Sequence, residues 1–390
     1  MNRLSHPSPC RQPRRRQDGF TLVELMISVA VSFALLLAMI SFLVNASQTN
    51  RELAKANSQV ESGRFAIQAL QNDILQAGYW GNFMPQFDDL TLSSVPTDVP
   101  AAVPDPCLAY DAANWTSAYK TNLVGIPLQV YDAVPGSCGS VVTSRKANTD
   151  VLVVRHAHTC VPGETNCEAS VSGKLYFQAS GCESEISAGQ RWVLDTTGFT
   201  LKQRGCTGTP PTTTGALAPV RKFVSNLYYI RDYANSAGDG IPTLVRSEFD
   251  LASGTLAHQT AQPLVEGIEG FKLELGIDNV SDAGLPVDFT QAINWSDTTT
   301  KTSPTNRGDG APDGSFIRCT GTCTAAQLMN TVAVKLHLLV RSSEATHGYT
   351  DTKTYTLAGT TFGPYNDGFK RHVFTTTVRL MNVAGRRETP

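Results

Sequence analysis

Residues 20–44 read FTLVELMISVAVSFALLLAMISFLV and hold a single charge, Glu24. At about 1.5 Å per residue such a helix is about 37 Å long, enough to span a hydrocarbon core of roughly 30 Å with some tilt. Arg3, Arg11, Arg14, Arg15 and Arg16 precede it, against Asp18. Basic flanks stay cytoplasmic, so the remaining chain is placed on the far side of the membrane. A secretory signal peptide would carry a shorter apolar core followed by a small-residue cleavage site. Here the small residue, Gly19, comes before the apolar run instead. A carboxylate at the centre of a membrane helix costs roughly 2.5–3.5 kcal/mol on insertion. Glu24, one turn from the start, either reaches the headgroups or meets a partner within the membrane.

Cysteine usage agrees with export. Of nine cysteines, Cys10 lies before the apolar run and eight follow it: Cys107, Cys138, Cys160, Cys167, Cys182, Cys206, Cys319 and Cys323. An even set in an exported body suggests disulfides, whose connectivity the sequence alone leaves open. Nearest-neighbour pairing (107–138, 160–167, 182–206, 319–323) is the expected arrangement, each bridge stapling one loop. The competing reading is a metal site from His156, His158, Cys160 and Cys167, which oxidation of the sulfurs would abolish.

Charge narrows the partners. Five arginines against one aspartate make residues 1–19 net +4, leaving −6 on residues 20–390 out of a formal total of −2. A mildly acidic body argues against a broad nucleic-acid footprint, which needs a basic face. With 41% apolar and 17% charged residues in 390, folding can bury a sizeable core.

Beyond Val44 the pattern turns amphipathic. Leu53, Val60, Ile67 and Ile74 recur every seventh residue, with Ala56, Gly63, Leu70 and Ala77 interleaved. The spacing predicts one helix from Phe20 to about Ala77, stopped by Gly78. Its stripe serves either a coiled coil or packing on the protein's own sheet; the small residues favour the sheet. The rest reads mostly β. Strands are expected at Val124–Tyr131, Asp150–Arg155, Lys174–Gln178, Arg191–Asp195, Val220–Tyr233, Gly270–Gly276, Thr331–Arg341 and Phe369–Val383. Val332, Val334, Leu336, Leu338 and Val340 alternate with Lys335, His337 and Arg341, as in a sheet covered on one side. The expected fold is α+β. A long N-terminal helix packs on antiparallel sheet, with a disulfide-stapled β insertion around 100–215. The expected divisions are residues 1–19, 20–44, 45–78 and 79–390.

Catalytic chemistry finds little support. His6 is in the basic segment, and His156 and His158 share one strand face. His337 lies on the mixed face of another strand, and His258, His347 and His372 sit in polar surroundings. No G-x-S-x-G, H-E-x-x-H or P-loop occurs. The loop Arg307–Gly314, RGDGAPDG, offers Asp309 and Asp313 either as calcium ligands or as ordinary turn residues, without a complete calcium-loop pattern. No cofactor is called for.

The stretch Gly19–Glu24, G-F-T-L-V-E, resembles the type IV prepilin signal. That resemblance implies cleavage between Gly19 and Phe20 by a membrane aspartyl peptidase, N-methylation of Phe20, and a role for Glu24 in assembly. A buried amine at Phe20 and a carboxylate on a neighbouring subunit would offset each other's desolvation. A leader of nineteen residues is long for this class. The run Gly63–Gly81, GRFAIQALQNDILQAGYWG, resembles the PilW family of type IV pilus assembly proteins. So do Asp239–Arg246, Leu264–Asp278, Ala333–Ser342 and Phe374–Asn382. The loops at roughly 82–150 and 279–330 look particular to this chain. The family implies a non-catalytic minor pilin of a Gram-negative bacterium that helps initiate or cap pilus assembly. It would be held in the inner membrane by a single pass, with a periplasmic body, and later placed in the pilus. Its partners would be other minor pilins, the major pilin, the prepilin peptidase, the inner-membrane assembly platform and membrane lipid. A minor pseudopilin of a type II secretion or DNA-uptake system, or a tip adhesin, is the alternative.

Overall fold

The computed structural model describes residues 19–295 and 303–388. Residues 1–18, with Cys10, His6 and the arginine cluster, lie outside the described residues. The chain forms two compact units, Met1–Ala54 and Lys55–Pro390. Helix α1, Leu22–Gln76, belongs to both.

In the first unit every large apolar side chain from Phe20 to Val44 is exposed. A helix apolar all round is stable only when something non-aqueous covers it. Thr21 caps it: its backbone N–H and hydroxyl both donate to Glu24 Oε2 (3.0 Å each), while its hydroxyl accepts from the Glu24 N–H (3.3 Å). That is a capping box, in which the first turn's orphan donors are satisfied reciprocally.

The second unit contains the end of α1 and, in order, α2 (Ser117–Gly125), β1 (Leu128–Tyr131), β2 (Val151–Ala157), β3 (Tyr176–Ala179), α3 (Glu183–Ser187) and β4 (Trp192–Asp195). Then come β5 (Val220–Arg231), β6 (Thr243–Ala252), β7 (Thr255–His258), β8 (Gln262–Glu266), β9 (Ile268–Ile277) and α4 (Ala325–Met329). The last elements are β10 (Thr331–Arg341), β11 (Tyr355–Leu357), β12 (Thr360–Phe362), β13 (Arg371–Arg379) and α5 (Met381–Arg387). One sheet runs β1-β2-β5-β3-β4, with β6 pairing β5, β7 and β8. A second runs β13-β10-β9, and β11-β12 is a separate hairpin. Every named pairing is antiparallel. The 100–215 region supplies β1 to β4 to the first sheet, so it shares that sheet with β5 and β6.

The end of α1 lies on the β13-β10-β9 sheet. Its buried residues are Gln59, Gly63, Ala66, Leu70, Asp73 and Ile74, joined by Ala77 just beyond. This corrects the expected stripe. Gly63, Leu70 and Ala77 face inward, but Leu53 is 56% and Val60 37% exposed. Their places are taken by the row Gln59, Ala66 and Asp73, one residue earlier in the heptad. Gln59 is tolerated because Nε2 donates to the carbonyls of Val340 (2.6 Å) and Lys370 (3.0 Å). Gly63 allows the closest approach: a Cβ there would lie 2.5 Å from the Phe374 ring. Ala66, Leu70, Ile74 and Ala77 join the alternate β10 residues Val332, Val334, Leu336, Leu338 and Val340 in one core. Gly78, at φ +75°, ends the helix in the left-handed conformation. Trp80 then enters a second, aromatic core, its ring 5.2 Å from Phe177 and 6.1 Å from Phe223.

Two expected strands are broken. Val124–Tyr131 divides into the end of α2, capped by Thr116, and β1 after Pro127. Phe369–Val383 is β13 followed by α5, whose Arg387 is drawn into the core. The β6–β7 hairpin was not expected; its turn places Ser253 and Gly254 at positive φ, as a two-residue hairpin requires. Disulfides join Cys107–Cys138, Cys160–Cys167, Cys182–Cys206 and Cys319–Cys323.

Candidate functional site

Two places concentrate polar groups that packing alone would exclude. The first is the stretch Gly19–Glu24. Gly19 has no neighbour within 4 Å of where a Cβ would stand, and Phe20 is 86% exposed. Glu24, whose carboxylate could be thought idle inside an isolated subunit, is engaged by Thr21. Thr21 was not singled out from the sequence, although T-x-x-E ahead of an apolar run is a recognisable cap.

The second place is a cleft of about 770 Å³ between the last turns of α1 and the strands β2, β5 and β6. Its floor is Asp73, only 8% exposed. His156 Nε2 lies 3.0 Å from Asp73 Oδ1, Asn226 Nδ2 donates to both carboxylate oxygens (3.1 Å each), and the Tyr228 hydroxyl donates to Oδ2 (3.0 Å). Strand alternation on β5 puts Asn226 and Tyr228 on the same face; the register sets Asn226 opposite Val154 and Tyr228 opposite Leu152 of β2. Burial, and then the Asp73 charge, push the Tyr228 phenol far above its ordinary range, so it remains a donor. A buried carboxylate with this many donors is satisfied rather than stranded. Nothing here resembles a nucleophile with a base. The group ties the helix to the sheet.

The histidines expected on one strand face separate. His156 is buried on Asp73, whereas His158 lies past the end of β2 and is exposed. His158 Nδ1 accepts from the Cys160 N–H (3.0 Å). Partial burial, and then nearby His156 and Lys222, hold its pKa below the usual histidine value. Cys160 and Cys167 are bridged, so they offer no thiolate and the metal reading fails there. His337 bridges Glu274 (2.8 Å) and Thr375 (3.1 Å) across the second sheet.

The loop Arg307–Gly314 has another task. It wraps Asp278, which is fully buried and accepts from the N–H groups of Asp309 (3.1 Å) and Gly310 (3.0 Å). A Cβ at Gly308 would fall 2.1 Å from the Asp278 carboxylate oxygens, which explains that glycine. Asp309 accepts from the Ala311 N–H (2.8 Å), and Asp313 from those of Asn279 and Val280 (2.7 Å each). Asp309 serves the loop's own backbone and Asp313 that of the segment after β9, and no group of three or more metal-ligating side chains occurs among the described residues.

Residues 14–40 match the family model described as Prokaryotic N-terminal methylation motif. Residues 227–382 match the one described as Type IV Pilus-assembly protein W. The run Gly63–Gly81 falls outside both matches. Among solved structures the chain is similar to a type IV-like pilin from Thermus thermophilus. The likeness covers 83% of this chain and 97% of that chain, with 11% identity and a TM-score of 0.31. No curated protein matches the chain. This polypeptide thus joins a segment that matches the prokaryotic N-terminal methylation motif to one that matches the type IV pilus-assembly protein W model.

Proposed function

We propose that the chain is a minor pilin that helps initiate or cap type IV pilus assembly and catalyses no reaction. Residues 1–19 are its leader, and cleavage after Gly19 leaves Phe20 as the methylated N-terminus. Residues 20–44 hold it in the inner membrane, residues 45–78 continue the helix as an amphipathic stem, and residues 79–390 form the exported body. The observation that carries this reading is an uncovered, largely apolar helix within a methylation-motif match, on a chain whose body matches a pilus-assembly family. A minor place suits a body of this size, whose bridged loops would crowd a repeating shaft. Its partners are then other minor pilins, the major pilin, the assembly platform and the peptidase that cuts it.

The test is the N-terminal mass of the protein in sheared surface filaments. A species beginning at N-methyl-Phe20 supports the reading; an intact Met1 leader in peptidase-competent cells overturns it. A deletion strain that keeps its pili but loses secreted enzymes or transformation points instead to a pseudopilus. Glu24→Gln refines the assignment, because an amide can still accept from Thr21 but carries no charge. It should leave insertion intact and lower incorporation into filaments; unchanged incorporation would make Glu24 a helix cap alone.

A further inference from the structure

The wall that α1 presents to the cleft is a row distinct from its buried face. Phe65, Gln68, Asn72 and Gln76 follow one another at helical spacing. Gln68 and Asn72 are exposed, and Phe65 is 56% exposed. None of the three amides makes a side-chain hydrogen bond among the described residues, so each keeps its donors and its acceptor for a ligand. Lys222, Arg246 and Glu248 stand among the opposite groups, and Arg246 Nε is buried without a partner.

The charges are balanced and mostly spent. The lining holds Asp73, Glu168 and Glu248 against Lys174, Lys222 and Arg246. Lys174 and Lys222 both pair with Asp250 (3.0 and 2.9 Å), Arg246 pairs with Glu248, and Asp73 is held by three donors. Both ammonium groups are already held by the one carboxylate of Asp250, so an anion would have to compete with it, and a cation would find only the rim carboxylate Glu168. Adding a peptide as a strand is disfavoured, because β2 lies between β1 and β5, and β5 pairs on to β6. What remains unused is a set of planar amides beside an open aromatic face. That set fits a ligand with many hydroxyls and no charge. The volume, about 770 Å³, is that of a small-molecule site with a few placed polar groups.

We propose that this cleft binds a short, uncharged oligosaccharide, gripped by Gln68, Asn72 and Gln76 and stacked on Phe65. The site stands apart from the assembly role and does not depend on it.

The experiment uses the full chain in lipid nanodiscs, free of glycoside detergents, on an array of immobilised neutral, sialylated and sulfated oligosaccharides and of peptides. A neutral oligosaccharide should bind, and Gln68→Ala/Asn72→Ala should weaken it by about tenfold. The affinity should change by less than about twofold between low and high salt, since no ion pair is formed. These two positions are exposed, so the double variant should keep the parent melting temperature. Binding of charged glycans or peptides only, no binding to any neutral sugar, or neutral-sugar binding untouched by the double variant or by Phe65→Ala, overturns the proposal. Filament incorporation of the same variant, measured alongside, separates failure here from failure of the pilin reading.

Discussion

Asp73 joins three elements through one carboxylate. Removing it leaves His156, Asn226 and Tyr228 facing each other across a gap with no acceptor, and the loss is that of several buried donors at once. Asp73→Ala should cost about 2–4 kcal/mol in denaturant melts, and Asp73→Asn less, because an amide oxygen still accepts. Equal losses for the two would mean that the carboxylate's bonds are not what holds α1 there. His258 makes a second residue-scale case. It is buried, its ring set edge-on to Phe249 at 5.6 Å, with Ser247 Oγ 3.3 Å from Nδ1 and no partner for Nε2. Burial, and then the Arg155 charge, lower its pKa to about 4. A histidine depressed in the folded state stays neutral while the unfolded chain takes up a proton. Stability is therefore fully present above the unfolded pKa of about 6.5 and is lost as pH falls towards about 4, by up to about 3 kcal/mol. An NMR titration placing the His258 midpoint near 6.5 would remove this contribution. Neither role was legible beforehand: Asp73 lies in the Gly63–Gly81 run that carries the family resemblance, but nothing local names its partners, and His258 reads as a polar-loop histidine, until strands distant in the chain surround them.

At the scale of elements, α1 shows how close a correct pattern can come to the wrong face. In the heptad of Leu53, Val60, Ile67 and Ile74, Ile74 is buried and Ile67 packs against the core, yet earlier in the helix the sheet covers Gln59 rather than Leu53 and Val60, and Asp73 is buried beside Ile74. Bonds from Gln59 to Val340 and Lys370, and from Asp73 to three side chains, make these polar residues buriable. Periodicity weighs hydrophobicity alone and cannot count hydrogen bonds to strands it has not yet placed. Helix α5 is a similar case. The expected strand stops at Arg379 because Arg387, 2% exposed, lies against Asp88 (2.8 Å), Asp278 (3.2 Å), Asn330 (3.0 Å) and the Met329 carbonyl (2.9 Å). Arg387→Met would leave Asp88 and Asp278 buried with a lost counter-charge, at a cost of about 3–5 kcal/mol. Limited proteolysis should then release the C-terminal segment first; a variant as resistant as the parent would show that the pair is dispensable.

At the scale of the whole molecule, the second unit is held by sheets and bridged loops. If loop closure in the unfolded chain dominates, the Cys107–Cys138 bridge, which spans 31 residues, should contribute about 3–4 kcal/mol. The Cys319–Cys323 bridge, which spans 4, should contribute about 2 kcal/mol on the same basis. Replacing each pair with alanine and comparing melting temperatures tests the order; a larger loss for the short bridge would place its value in native packing instead.

Some features of this protein follow from the chain read in isolation. The apolar helix, its basic flank, the glycine stop at Gly78 and the alternation in β10 are local, because each is set by composition or by the geometry of a few neighbouring residues. The type IV pilus-assembly W resemblance belongs with them, resting on contiguous runs. Other features depend on which distant segments meet. They include the face α1 buries, the helix that ends the chain's last expected strand, and the use of Asp278 to organise the 307–314 loop. They also include the cleft over Asp73. Each rests on a polar side chain whose burial is favourable only once its partners from other strands are in place, and that condition can be met only in three dimensions.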